Sequence, residues 1–282
     1  MGRREGKRLT DGSEVVRVAG WEEFGWLRAG FSRRCGGVSS AFGGKSLNLA
    51  WKQKDEDGNV RVNRGRFRRG ICGDLDGQDA FSLVTLRQVH SDAIQVVRRE
   101  GGPFETADGR AVLEGDGLLT DMAGVLLGVQ VADCVPVLLA DRRRRVVGAF
   151  HAGWRGTLAR IVAKGILRMR EVYGTDSADL VGAVGPSIGP CCYSVGEEVV
   201  SSFTDEFGSG LVERRGEEMF LDLWEANRRQ MLEAGVAASA ITVLGACSAC
   251  ARDEDGGRAY FSHREEMGAA GRMMGGIGIV AG

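Results

Sequence analysis

The sequence predicts an α+β fold, a single domain of mixed β-sheets with flanking helices over residues 1–282. Three observations lead there. Short apolar runs rich in β-branched residues recur along the chain and read as buried strands. Three segments in the second half carry a helical apolar period or a helix-start signal. Strands and helices mix without strict βαβ alternation, so the strands should run in mixed directions. The 282 residues can bury a large core, and no internal repeat or long linker divides them.

Residues 1–14 are polar and read as a frayed start lacking the apolar segment of a secretory signal. Residues 15–50 hold short apolar pieces around a glycine turn, FSRRCGGVSS. Residues 51–80 are polar, with two acidic clusters, DEDGN and GDLDGQD. Neither has the spacing of an EF-hand loop, so both read as solvated turns. Residues 82–97 alternate as a strand, a polar QVHSD interruption and a second strand. From 124 to 151 come three apolar runs, VLLGVQVA, VPVLLAD and VVGAFHA, each a buried strand. Asp141 to Arg145, DRRRR, fits a solvated hairpin turn between the last two. No aromatic residues interleave it, which argues against a nucleic-acid patch.

Residues 157–172 predict a helix. Leu158, Ile161, Val162, Leu167, Met169 and Val172 fall near the 3.6 period, and Thr157 serves as N-cap. VGAVGP (181–186) is a strand and VGEEVVSSFTDEF (195–207) a second helix. A third helix starts at Asp222, whose carboxylate and Glu225 make a capping box, and Gly235 ends it. ITVLGAC and RAYFSH are the closing strands.

Composition removes several function classes. The formal net charge is −1 and the isoelectric point is near 6.4. Such a chain has no global attraction to nucleic acid or to an anionic membrane. The longest apolar stretch is broken by Gln130, Asp133 and Pro136, so it makes no membrane span. Seven cysteines at irregular spacing do not form a disulfide framework, and a reducing cytoplasm is the expected location. Glycine supplies 44 residues, about twice the usual ~7%. Without a collagen-like period, that excess points to tight turns and close backbone approaches. Three histidines limit imidazole-rich metal chemistry to one compact site.

The residues then suggest where that site lies. His90 ends a strand in RQVHSD, His151 ends one in GAFHAGWRGT, and Cys134 sits at a strand break in VADCVP. Cys134 and His151 flank the hairpin-sized segment 135–150, so they can meet at one sheet end. His90, from another strand, closes the trio. Two imidazoles and one thiolate suit zinc and leave its fourth position open to water or substrate. The ordinary alternatives are a hydrogen-bonded strand-end histidine and a buried cysteine acting as a small apolar residue.

Longer motifs carry a resemblance. RQVHSD, VADCVPVLLAD, GAFHAGWRGT, GPSIGPCCYSVG, FLDLWEANRRQMLEAGV and YFSHRE occur in this order. Together they resemble the laccase-domain family, named for multicopper polyphenol oxidation, from about residue 25 to 280. The resemblance implies a zinc ion on His90, Cys134 and His151. It also implies purine nucleoside phosphorylase activity on adenosine, inosine and methylthioadenosine, with adenosine deaminase activity alongside. GFSRRCGGVS and SLNL match the family's amino-terminal pattern and align Arg34 and Asn48 with it. Arg33 replaces a small hydroxyl residue, and EGDGLLT departs from the usual EADALVT while keeping Asp116.

Phosphorolysis needs an anion seat, a hold on the ribose and help for the departing purine. Arg34 and then Arg155 are the candidate phosphate arginines, since guanidinium offers bidentate contacts. Asn48 and Gln88 are the other substrate-binding candidates, and Asp133 is the candidate acid or base. The expected partners are therefore a purine nucleoside and phosphate. His263 reads as pocket wall or as a core hydrogen-bonding residue, and Trp154 and Trp224 as packing. Cys191 and Cys192 read as structural, and Cys247 with Cys250 as an isolated C-x-x-C.

Three other functions stay open at this stage. A His₂Cys set also suits copper and a polyphenol oxidoreductase, although three histidines are few for several copper centres. Cys134 and His151 also fit the nucleophile and base of a Cys–His hydrolase. A fourth ligand from Cys191 or His263 would instead make a closed structural zinc.

Overall fold

In the computed structural model, residues 7–8, 14–51, 54–73 and 81–280 are described. The apolar runs at the centre of the sequence become β8 (Val125–Val131), β9 (Val135–Asp141) and β10 (Val146–Ala152), buried at nearly every position. A strand buried on both faces needs a layer on each side of its sheet, and the chain supplies four layers.

The first sheet contains β1 (Lys7–Arg8), β2 (Glu14–Val16), β3 (Leu27–Ser32), β16 (Met273–Ile279), β8 and β5 (Ser82–Thr85), in that spatial order. The second runs β15 (Ile241–Val243), β11 (Leu180–Val184), β9, β10, β7 (Gly117–Thr120) and β6 (Ile94–Val96). β5–β8, β6–β7 and β11–β15 pair in parallel, and the other pairs within these two sheets are antiparallel. The mixed directions expected from the sequence are present. A small third sheet joins β12 (Ser194–Val195), β14 (Glu218–Leu221) and β13 (Val212–Arg215).

The two large sheets face each other across one apolar core. Phe31, Leu127, Val129 and Ile277 from the first meet Leu118, Leu138, Val147 and Ala183 from the second. Alternate residues of the same strands serve the outer layers. Leu126 and Met274 pack with Phe67 and Ile71 of α1 (Asp57–Cys72). Val137, Leu139 and Phe150 pack with Ile161, Ile166 and Met169 of α3 (Ile161–Tyr173) and with Ala226 and Met231 of α5 (Leu223–Glu233). α2 (Trp154–Leu158) and α4 (Glu197–Phe207) complete this helical layer.

Several sequence expectations need correction, each for a physical reason. The helix expected over 157–172 is two helices. Arg160, at φ 60°, breaks it between α2 and α3. Gln230 of α5 mends the break by donating to the Thr157 carbonyl at 2.9 Å and accepting from the Ala163 amide at 3.3 Å. The Thr157 hydroxyl donates to the Ala152 carbonyl and does not cap the helix. At α5, Asp222 does accept from the Glu225 amide at 2.9 Å, but the reciprocal half of the capping box is absent because Glu225 pairs with Arg228 and Arg229. Gly235 is left-handed there, as expected.

RAYFSH is a loop, and the strand that closes the first sheet is β16. Its glycines hide it from a propensity reading, yet the packing requires them. A β-carbon on Gly276 would lie 2.9 Å from the Phe67 ring, and one on Gly278 would lie 2.5 Å from the Val125 carbonyl. The polar stretch 51–80 conceals α1, whose first turn lies within DEDGN. Asp55 of that cluster is no solvated turn residue. It accepts from the Ser39 hydroxyl at 2.6 Å and from Asn48 at 2.7 Å. FSRRCGGVSS is likewise not a single turn, because its second half forms β4 (Cys35–Ser39). GDLDGQD beyond Gly73 lies outside the described residues, as does most of the start expected to fray, where Lys7–Arg8 pairs with β2.

Two alanine substitutions should move stability in opposite directions. Gly278→Ala, which forces a methyl group onto a strand carbonyl, should cost about 1–3 kcal/mol. Gly58→Ala, in the first turn of α1 with open space around it, should gain up to about 1 kcal/mol. Urea midpoints at unchanged m-value would check both.

Candidate active site

The segment between β8 and β9 crosses from the first large sheet to the second, and Cys134 sits on it, directly before β9. His151 is the penultimate residue of β10 and lies opposite Pro136 in the β9–β10 hairpin. The hairpin therefore sets Cys134 and His151 side by side, as the sequence reading expected. His90 does not end a strand, as its sequence suggested, but arrives on the loop after β5, where a left-handed backbone breaks the extended run. Its ring meets that of His151 edge to face, with centroids 4.9 Å apart. One ligand atom from each of His90, Cys134 and His151 lies within 4.8 Å of the other two. That donor set can hold one metal ion with a coordination position to spare.

A fourth residue organises the trio. The Asp116 carboxylate, fully buried directly before β7, accepts from His151 Nδ1 at 2.7 Å and from the His90 amide at 3.1 Å through one oxygen. Its other oxygen accepts from the Ser91 amide at 2.6 Å, the Ser91 hydroxyl at 2.8 Å and the Val89 amide at 3.3 Å. His90 is held at φ 61°, a conformation that a residue with a side chain keeps only when its surroundings impose it. Occupation of Nδ1 by Asp116 leaves Nε2 of His151 as its metal-facing nitrogen.

Charge in this cluster is redistributed by contact. Burial pushes the Asp116 carboxyl up, but hydrogen bonds from His151 and Ser91 prevail and hold it down at about 2. Burial likewise pushes the Cys134 thiol up, and the His151 charge with hydrogen bonds from both histidines brings it down to about 6. For His151 burial acts downward, and Cys134 with Asp116 raises it to about 9. Without metal, their contact therefore favours the thiolate of Cys134 and the imidazolium of His151 together. Gly153 keeps the space clear, since a β-carbon there would stand 3.0 Å from Cys134 Sγ and 3.2 Å from His90 Cδ2.

The trio opens into a cavity of about 760 Å³. Of the residues expected at the site, Gln88, His90, Asp133, Cys134, His151 and His263 line it. Gln88 is spent on the strand beside it, donating to the Gln130 carbonyl at 2.8 Å and accepting its amide at 2.7 Å. Asp133, at φ 85°, ties loops together. Its carboxylate accepts from the Ser248 hydroxyl at 2.6 Å and the Arg264 amide at 2.7 Å, and its carbonyl accepts from the Ile188 amide at 2.9 Å.

Arg34, Asn48 and Arg155 are not among the lining residues. Arg34 pairs with Glu266 at 2.8 Å and donates to the Phe42 carbonyl. Arg155 stacks on Trp154. Asn48 is fully buried and accepts the amides of Ala50 and Arg272, two residues that do line the cavity.

The arginines on the wall are Arg64, Arg87, Arg110, Arg264 and Arg272, none of which the sequence reading singled out. Arg64 is the most telling. It is 8% exposed, and it donates from Nε to the Leu49 carbonyl at 3.0 Å and from Nη1 to the Gly109 carbonyl at 3.3 Å. Its Nη2 is buried without a partner. Burial lowers it to about 10, which leaves it cationic near neutrality. Arg61, Arg64 and Arg110 surround the Trp51 ring at 4.9–5.8 Å. Only the α1 pattern, masked by its arginines, would have exposed Arg64. Asp116 was visible in EGDGLLT, but nothing in the sequence tied it to the histidines.

Residues 28–280 match the family model described as multi-copper polyphenol oxidoreductase laccase. A purine nucleoside phosphorylase, YlmD of Geobacillus stearothermophilus, is 35% identical over 91% of this chain and 95% of its own length. A purine nucleoside phosphorylase of Bacteroides thetaiotaomicron is 40% identical over 83% of this chain and 85% of its own. An adenosine deaminase, RL5, from an unknown prokaryotic organism is 35% identical over 71% of this chain and 76% of its own. The crystal structure of the hypothetical protein YfiH of Bacillus licheniformis superposes with a TM-score of 0.83 at 31% identity, covering 97% of this chain and 98% of that one.

Two measurements test the Asp116 network. In metal-free protein, alkylation of Cys134 followed by mass spectrometry should rise with pH through a midpoint near 6, well below the ~8.5 of an ordinary thiol. Asp116→Asn removes the charge that supports the His151 imidazolium, so that midpoint should move upward. The same substitution should weaken metal binding by about 10- to 100-fold, read by competition with a chelating dye.

Proposed function

Because the chain belongs to the multi-copper polyphenol oxidoreductase laccase family, we propose that its cavity is the active site of a purine nucleoside phosphorylase. The substrates are adenosine, inosine and methylthioadenosine with phosphate, and the products are free base and the (methylthio)ribose 1-phosphate. Zinc is the metal we assign to His90, Cys134 and His151, and deamination of adenosine is a second activity of the same site. The observation that carries this reading is one three-ligand constellation opening into an arginine-walled cavity. The names of the relatives supply the substrate class.

In this reaction a phosphate oxygen forms a bond to the ribose anomeric carbon. The glycosidic bond breaks with its electron pair leaving on the purine, which takes up a proton. The unpaired Nη2 of Arg64 is the cationic seat we assign to phosphate, since Arg110 beside it is already paired with Asp57 and Asp108. Trp51 and Tyr193 offer flat walls for a purine. When bound, zinc supplies a Lewis acid with a position open to phosphate or water. Asp116 fixes the ring nitrogen that His151 presents, and Asp133 acts by positioning, since both its oxygens already hold donors. Arg34 braces, through Glu266, the segment carrying His263 and Arg264. Cys72, Cys134, Cys191, Cys192, Cys247 and Cys250 carry free thiols, which suits the cytoplasmic location we propose. Among the described residues no helix is long and apolar enough to cross a membrane.

The decisive assay supplies adenosine or inosine with phosphate and measures ribose 1-phosphate and free base. Cys134→Ala or chelation should abolish turnover. Full activity in Cys134→Ala would refute the metal mechanism, and copper-loaded protein oxidising phenols at matching rates would favour the oxidoreductase. Arg64→Ala should raise the KM for phosphate about tenfold or more, since a charge-assisted hydrogen bond is worth about 1.5–3 kcal/mol.

A further inference from the structure

A second thiol cluster lies apart from the three-ligand constellation. Cys191 and Cys192 stand in the turn after β11, and Cys247 and Cys250 form the C-x-x-C turn after β15. The sequence separates the pairs by more than fifty residues, and the fold joins them. The four sulfurs lie within 4.8 Å of one another, with Cys191 Sγ and Cys250 Sγ 3.6 Å apart. A tetrahedral zinc with Zn–S bonds of about 2.3 Å spaces its sulfurs about 3.8 Å apart. Small side-chain rotations therefore convert the observed cluster into that shell.

The backbone around the cluster is fitted to thiolates. Cys247 Sγ accepts the Gly189 amide at 3.3 Å, and the amides of Ala249 and Cys250 also turn toward it. The two turns are held in register by a Ser187–Cys247 bridge and by the Ser248 amide donating to the Ser187 carbonyl at 2.9 Å. Arg215 donates to the Pro190 carbonyl at 3.1 Å, beside the adjacent thiols.

We propose that Cys191, Cys192, Cys247 and Cys250 bind one zinc ion in a closed, structural site distinct from His90, Cys134 and His151. Binding replaces up to four thiol protons by one divalent cation, with no change of oxidation state, and leaves a net charge of about −2 that Arg215 faces. Four thiolates leave no open position, so this ion does no catalysis. Its effect reaches the cavity mechanically. Ser248, inside the C-x-x-C, donates to Asp133, and the clamped turn carries Ile188 and Tyr193 of the cavity wall.

Metal analysis of the full chain, purified anaerobically and loaded with zinc, tests this. Wild type should hold two ions per chain, Cys134→Ala one, and Cys191→Ser with Cys250→Ser one. Cobalt-loaded Cys134→Ala should show a tetrahedral spectrum with the charge-transfer intensity of four thiolates. Should the double serine variant fail to fold, titration of Cys134→Ala with a mercurial replaces it, and one zinc should leave as four thiols react. One ion per zinc-loaded wild-type chain that is lost in Cys134→Ala would overturn the proposal, whereas one ion retained in Cys134→Ala would place it on the four cysteines and count against the trio instead. A Cys134→Ala chain holding none, or a Cys191–Cys250 disulfide in place of the cobalt spectrum, would also overturn the proposal. None of these readouts uses nucleoside turnover, so failure here is separable from failure of the phosphorylase reading.

Discussion

The arrangement of the site depends on one buried carboxylate. Asp116 gathers a ring N–H, a hydroxyl and three backbone amides, and all its donors come from the two segments that carry the histidines. Burying a carboxylate is costly, and that cost is offset only when its donors stand in place. Folding the site and satisfying Asp116 are therefore one event. The β7–β10 register makes it possible, because pairing Gly117 with Phe150 brings the Asp116 carbonyl 2.7 Å from the His151 amide.

The layers explain why the chemistry lies where it does. The central strands β8, β9 and β10 are buried on both faces along nearly their whole length and carry polar side chains only near their ends, as at Gln130, Asp141 and His151. Polar function gathers at strand ends and where the chain leaves one sheet and enters the other. The β8–β9 crossover is such a place, and Ala132, Asp133 and Cys134 occupy it. The left-handed backbone at Asp133 turns the chain there and is retained because Ser248, Arg264 and Ile188 all bond to it.

How much was legible in the sequence follows from the range of each interaction. The central strands, α4, the Asp222 cap and the Cys134–His151 hairpin are local patterns, and all of them could be read. α1 could not, because its buried positions include Asn63, whose amide is satisfied by β4 and the Asn48 loop, and Arg64, whose Nε donates into that same loop. β16 could not, because its glycines answer to aromatic rings from distant segments. Cys134 and His151 were visible at strand ends and His90 within its motif, whereas the arginines of the wall came from α1 and from loops with no periodic signature. Arg34 and Asn48 were visible as motif residues, but what their side chains hold is set by Glu266 and Arg272, more than 200 residues away in sequence.

The glycine-rich strand β16 also bears on how the chain reaches this structure. It lies in its sheet between β3 and β8, segments about a hundred residues apart, and pairs with both. Until residues 273–279 dock, β3 and β8 each present an open edge of unpaired amides and carbonyls. Such edges invite pairing between chains. Assembly by long-range contacts is also slow, so docking of β16 is the step that removes both edges from reach of other chains.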